Sequence, residues 1–201
     1  MSSTYTFDVF SSLDGFGSAG GDWGGYWGKQ GPELLARRLE LYGPPCHVVF
    51  GANTFRLFAQ FWEEVEQNPE VEDPWGVALH RQPATVISTT LQEPLNWPDA
   101  TLEREDAVEV VRRLKNSSAL PLRSHGSLAM NRSLLEAGLV DFIQVTIFPV
   151  LTGRNGSDPV LAGVDDYDLE LVDSRLLDGS IQELTYRPTL HQAARTLKMS
   201  L

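Results

Sequence analysis

The chain has 201 residues, 42% of them hydrophobic and 21% charged, with a formal net charge of −11. That composition excludes wholesale disorder and suits one domain with a single core. The acid excess repels phosphate backbones, so nucleic acid is not an expected partner, although one phosphate in a local pocket is compatible with it.

Cys46 is the only cysteine. It allows no internal disulfide and no cysteine zinc site, and beside Val48, Val49 and Phe50 it reads as a buried apolar residue. No apolar run approaches the roughly 20 residues that cross a bilayer. Met1 to Phe10 lacks the pattern of a signal peptide. The expectation is a cytoplasmic protein with no membrane partner.

Thr4 to Phe10 alternates and is β-prone, so it reads as a strand that ends at the turn Ser11 to Gly15. Gly15 to Gly31 is glycine-rich yet holds Trp23, Tyr26 and Trp27, which predicts a loop that covers something. Pro32 to Leu41 reads as a helix stopped by Gly43-Pro44-Pro45. His47 to Phe50 is a short strand ending at Gly51. Asn53 is the expected N-cap of a second helix through Phe61 or Trp62. Glu63 to Arg81, acidic and carrying Pro69 and Pro74, reads as a helix end plus a surface insertion.

Thr85 to Ser88 is a third strand and Thr101-Leu102 a short fourth. Asp106 caps a helix to Asn116. Leu120 to Ser124 is a strand, broken by His125-Gly126-Ser127 before a helix that ends at Gly138. Phe142 to Val150 is strongly β-prone. Leu169 to Leu176 and Ile181 to Tyr186 flank Asp178-Gly179, a hairpin signal. Thr189 to Leu201 reads as a short helical tail. Strand and helix alternate over the first two-thirds, and strands dominate the last third. The expected fold is therefore α/β, a mostly parallel sheet with an antiparallel C-terminal edge.

In such a sheet ligands gather at the carboxyl ends of the strands. Three strand-to-helix turns there carry small or polar residues: Gly51-Ala52-Asn53-Thr54, Ser88-Thr89-Thr90 and His125-Gly126-Ser127-Leu128. Helix N-termini near Asn53 and Ser127 offer free N–H groups that suit phosphate. Each turn alone is equally well explained by turn and capping chemistry. Asp14, at the end of the first strand, either orients a substrate or bonds the turn backbone. The four histidines, His47, His80, His125 and His191, show no ligand spacing, so no metal is expected. Phosphate-loop and G-x-G-x-x-G motifs are missing.

Taken as an ordered set, these segments resemble the reductase domain of the bifunctional riboflavin-biosynthesis deaminase–reductase, within the dihydrofolate-reductase-like superfamily. The resemblance runs from about Tyr5 to Pro188. It rests on Ser12 to Gly15, Val48 to Phe55, Val86 to Leu91, Ser124 to Ser127, Leu134 to Asp141 and Pro149 to Gly153. It implies a mixed sheet of about eight strands, a reductase domain over residues 1–188 and a tail over 189–201. It also implies NADPH across the strand ends, with NADH as the alternative. Gly51, Ala52, Asn53 and Thr54 would meet the cofactor phosphates, and Ser88 and Thr89 the adenosine half. Gly126, Ser127 and Leu128 would hold the pyrophosphate and nicotinamide side. Asp14, as catalytic residue, and Trp23 and Trp27 would face a small-molecule substrate.

Ala52 stands where the family commonly has an arginine, and Ser88-Thr89 lacks a cation for the extra ribose phosphate of NADP. Pairing as a homodimer is a further implication. The apolar run Phe142 to Leu151 is its candidate surface, with the core as the alternative. The leading expectation is an oxidoreductase that moves a hydride to a C=N or C=O bond of a pterin-like or pyrimidine-like heterocycle. The other expectations are a non-catalytic nucleotide-binding protein and a small-molecule-sequestering protein on the same fold.

Overall fold

A computed structural model describes residues 2–21, 30–68 and 73–191. Its centre is an eight-stranded sheet in the order β5-β4-β3-β6-β1-β7-β10-β9. The strands are β1 (Tyr5–Ser12), β3 (His47–Gly51), β4 (Ala84–Ile87), β5 (Ala100–Glu103), β6 (Leu122–His125), β7 (Phe142–Phe148), β9 (Tyr167–Leu177) and β10 (Ile181–Leu190). The pairs from β5 across to β7 are parallel, and β10 and β9 join antiparallel. This is the expected α/β architecture with its antiparallel edge.

The helices are α1 (Pro32–Tyr42), α2 (Ala52–Gln67), α3 (Pro74–His80), α4 (Ala107–Ser117) and α5 (Leu128–Glu136). They cover both faces, because alternate residues of the buried strands point to opposite sides. Val48 and Phe50 join Phe55, Trp62, Trp75 and Trp97 on one side. Val49 joins Tyr5, Phe7, Val9 and Leu134 on the other.

Several elements differ from their sequence reading. A short strand, β2 (Phe16–Ala19), emerges from the glycine-rich stretch and pairs with β8 (Gly156–Pro159). Trp23, Tyr26 and Trp27 lie outside the described residues. The acidic stretch after Trp62 is no mere surface insertion. Helix α2 continues to Gln67, and α3 buries Trp75 and Leu79. Pro74 suggested a loop, but at the first helical position it is favourable, and Asp73 caps the helix by accepting from Gly76 N at 2.9 Å. Thr189 and Leu190 are strand, not helix, because Leu190 pairs with Tyr167. The rest of the tail, from residue 192, lies outside the described residues.

β7 sits between β1 and β10, with Ile143, Gln144, Thr146 and Phe148 buried and Phe142, Val145 and Ile147 partly exposed. One edge of the sheet is β9, which carries exposed Leu169, Leu171, Val172 and Leu176. Its three-residue hairpin loop, Asp178 to Ser180, places Asp178 and Gly179 at φ +48° and +71°, the central positions of a turn closed by Ser180 N donating to Leu177 O at 3.1 Å. That turn also caps α1 from a distance. The Asp178 carboxylate accepts from Glu33 N and Leu34 N at 2.9 and 3.0 Å. A Cβ at Gly31 would lie 2.3 Å from that carboxyl carbon, so a larger residue there would displace the Asp178 side chain from its capping position.

The least expected feature is a charge at the sheet centre. Asp8 on β1 is fully buried, and so is Arg38 on α1. Arg38 makes two bonds to the carboxylate, Nη1 to Oδ1 at 3.1 Å and Nη2 to Oδ2 at 2.7 Å. Tyr42 donates its hydroxyl to Oδ2 at 2.6 Å. The guanidinium carbon lies about 5 Å from the ring centroids of Phe10, Tyr42 and Trp75, within cation–π range. Burial pushes the Asp8 carboxyl up, but the Arg38 charge and the bonds from Arg38 and His125 hold it well below the usual carboxylate range. A depressed folded value means that the stabilisation is present above the unfolded value and is lost as pH falls through the folded one. Arg38→Met leaves a buried unpaired carboxylate and is expected to cost about 3–5 kcal/mol in urea denaturation at neutral pH. The loss should shrink in acid, where the orphaned Asp8 takes up a proton. A pH-independent loss would contradict this account.

Candidate functional site

Two of the three expected turns meet. β3 runs into α2 with Gly51 as an extended N-cap, and no side chain caps that helix. The helix therefore begins at Ala52, and Asn53 lies in its first turn rather than at the cap. Across from it, Ser127 is the N-cap of α5 in the left-handed region, φ +51°, and again no side chain caps the helix. The Ser127 hydroxyl is turned aside to accept from Gly51 N at 2.9 Å. Thr54 Oγ1 returns the contact by accepting from Ser127 N at 2.8 Å. These two bonds lock the turns together and leave both helix starts without local caps.

First-turn N–H groups have no intrahelical acceptor and carry the positive end of the helix dipole. Both helix starts line one cavity of about 760 Å³, which Gly51, Ala52, Asn53 and Thr54 share with Ser127 and Leu128. Arg56 and Arg132 add two cations to its wall, and Asp158 one carboxylate. Arg56 reaches from Asn53 Oδ1 (3.1 Å) to Thr90 Oγ1 (2.9 Å) on the turn after β4. The cation missing at Ala52 and at Ser88-Thr89 is thus present one helical turn further on.

Ser88 and Thr89 do not line the cavity; Ile87 of the same strand does. The Ser88 hydroxyl holds its own turn, accepting from Thr90 N and Leu91 N at 3.1 and 3.0 Å. Asp14 lines neither this cavity nor the one beside it. Its carboxylate accepts from Thr152 N at 3.1 Å and Gly153 N at 2.8 Å, tying the loop after β1 to the loop after β7. The Ser12 hydroxyl and those backbone N–H groups hold its carboxyl far below the usual range. Trp23 and Trp27 lie outside the described residues.

A second cavity of about 450 Å³ adjoins the first and shares Thr54 and Leu57 with it. Its wall includes Phe58, Phe61, Trp75, His125 and Gly126. His125 is buried, its Nδ1 lying 3.1 Å from Arg38 Nη2 and 3.3 Å from Asp8 Oδ2. Burial pulls its imidazole down, against the Asp8 carboxylate that favours the cation, so the ring is neutral at pH 7. Among the described residues no group of His, Cys, Asp and Glu gathers to hold a metal ion. No helix among them is long and apolar enough to cross a membrane.

Residue-level sequence reading missed Asn131, which is fully buried. Its Nδ2 donates to Ser124 Oγ and to Gly126 O, both at 2.8 Å, and its Oδ1 accepts from Tyr5 OH at 2.8 Å. The signal was available, because a polar residue occupies the helix face that also presents Leu134 and Leu135. Gly126 has φ +67°, and a Cβ there would lie 3.2 Å from Thr54 Oγ1. Gly126→Ala is expected to cost about 1–2 kcal/mol, measured by thermal or urea unfolding. It should also loosen the Thr54–Ser127 lock, and an unchanged stability would show the turn to be slack.

The comparisons with known proteins agree with this geometry. The chain is 24% identical over 140 residues to the uncharacterised protein YyaP of Bacillus subtilis (strain 168), covering 69% of this chain and 72% of that one. It shares its fold with a crystal structure of a putative riboflavin biosynthesis protein from Shewanella sp. PV-4. The TM-score is 0.73 at 20% identity, covering 94% of this chain and 99% of that one. A pyrimidine reductase-like protein from Corynebacterium diphtheriae gives a TM-score of 0.67 at 13% identity, with 94% and 93% covered. The diaminohydroxyphosphoribosylaminopyrimidine deaminase/5-amino-6-(5-phosphoribosylamino)uracil reductase of Thermotoga maritima gives 0.62 at 16% identity, with 94% and 57% covered. Residues 4–182 match the sequence pattern of the RibD C-terminal domain, so the chain belongs to the RibD C-terminal domain family.

Proposed function

We propose that this protein is an NAD(P)H-dependent oxidoreductase that reduces a C=N or C=O bond of a small heterocycle. Family membership supports the coarser reading, a reductase of the riboflavin-biosynthesis type. The observation that carries the finer one is the convergence of two uncapped helix N-termini on one cavity, with an aromatic cavity at its flank.

The residues present fit a dinucleotide. The first-turn N–H groups of α2 and α5 would hold the pyrophosphate. Gly126, without a side chain, leaves room above Thr54 for close approach. Arg56 would meet the extra ribose phosphate of NADP from the turn after β4, the role for which Ala52 and Ser88-Thr89 supply no cation. When bound, the nicotinamide ring supplies the hydride. The chain itself orients the two reactants at the Thr54 and Leu57 boundary and excludes water there. Asp14 enters this reading as a positioning group, since its carboxylate fixes two strand-end loops and lines neither cavity.

Titration with NADPH and NADH, followed by tryptophan fluorescence, tests the reading. Tighter binding of NADPH is expected. Arg56→Ala should weaken NADPH by about tenfold and NADH by less than about twofold, the loss of a charge-assisted contact to one phosphate. Equal weakening of both would remove Arg56 from that role. Failure of both dinucleotides to bind at millimolar concentration would remove the reductase proposal.

A further inference from the structure

The two cavities differ in charge as well as in shape. Arg56 and Arg132 stand in the wall of the first. Among the described residues the second has no lysine or arginine in its wall, and its charged groups are Glu64 and Asp73. Arg38 lies close to it but is fully buried, with both terminal nitrogens bonded to Asp8. Its Nε makes no hydrogen bond, but the guanidinium is sealed behind the wall and forms no part of the cavity lining.

The wall otherwise suits a flat ring. Partly exposed Phe58 and Phe61 offer aromatic surface against which a planar heterocycle packs, and the buried Trp75 backs it. Phe58 and Trp75 also lie 6.0 Å, centroid to centroid, from the His125 ring, so the three form one patch. The Nδ1 side of the His125 ring faces Arg38 Nη2 and Asp8 Oδ2, which leaves Nε2 as the polar atom of the ring for a ligand edge. A dianionic phosphate placed among these groups would lose its hydration, meet no lysine or arginine among the described wall residues and face two carboxylates.

Resting on the reductase reading, we propose that the second cavity takes a planar aromatic heterocycle that carries no phosphate, and that Phe58, Trp75 and the Glu64/Asp73 rim set this selectivity. The substrate therefore differs from the phosphoribosylamino pyrimidine named for the Thermotoga maritima relative. Among the described residues, the cations that line either cavity, Arg56 and Arg132, stand on the cofactor side.

Binding is measured without any cofactor, on the full chain, with a matched pair of probes: 4-methylumbelliferone and 4-methylumbelliferyl phosphate. They share one flat oxygen heterocycle and differ by the phosphate. Equilibrium dialysis should give a Kd for the phosphate-free probe at least about tenfold lower. Phe58→Ala should weaken that probe by about fivefold through loss of ring contact. Glu64→Arg, at an exposed position, should narrow the gap between the probes by about threefold or more. Equal or tighter binding of the phosphate ester overturns the proposal. So does an unchanged affinity in Phe58→Ala, or no binding of either probe at millimolar concentration. An NADPH titration of the same preparation reports on the reductase reading alone, so the two failures are told apart.

Discussion

The structure is organised around a buried ion pair in the middle strand of its sheet. Asp8 stands on β1, which is flanked by β6 and β7, and a lone carboxylate there would be intolerable. Arg38 satisfies it with two bonds and itself lies against three aromatic rings. That demand fixes where α1 packs, and with it Tyr42 and the neighbouring Trp75. It also fixes His125, the last residue of β6, whose ring sits against the pair. The Asp8 carbonyl in turn accepts from Gly126 N at 2.9 Å, so the strand that carries the charge also anchors the glycine turn. Core and candidate site thus share one set of constraints.

The second constraint is the exchange between Thr54 and Ser127. A helix-start serine or threonine ordinarily spends its hydroxyl on its own helix. Here each hydroxyl crosses to the other turn and accepts a backbone N–H there. Both helix starts keep their first-turn N–H groups for something else, and both border the same cavity. Asn131 supports the arrangement from below by bonding Ser124, Gly126 and Tyr5 at once. Polar residues that look like ordinary caps in the chain are therefore cross-braces in three dimensions.

Most elements were legible in the sequence because local signals agreed. Pro32, Asp106, Gly138 and Asp178-Gly179 mark starts, ends and turns by backbone chemistry that does not depend on neighbours. Readings failed where a local signal had two meanings. Pro74 begins α3 rather than lying in a surface insertion, since the missing N–H is harmless at the first helical position. Phe16 to Ala19 became a strand only because β8 lies beside it. Asn53 lost the cap position to Gly51, whose backbone is pulled into place by Ser127. Ser88 and Thr89 reach the right end of the sheet yet stay outside the cavity, because the Ser88 hydroxyl closes its own turn.

By itself the sequence determined the fold class, the alternation of strand and helix, and the strand-end location of Gly51 to Thr54 and Gly126 to Leu128. Those features follow from periodicity and from glycine, proline and capping chemistry, all of which act within a few residues. Only the tertiary structure decided that Asp8 and Arg38, thirty positions apart, form one ion pair, that Thr54 and Ser127 exchange bonds across seventy-three, and that Arg56 lines the cavity beside Ala52 while bonding the turn after β4. It also decided that Asp14 secures two loops rather than facing either cavity. Each of these depends on distances between segments remote in the chain, and those distances are set by packing of the whole sheet rather than by any local preference.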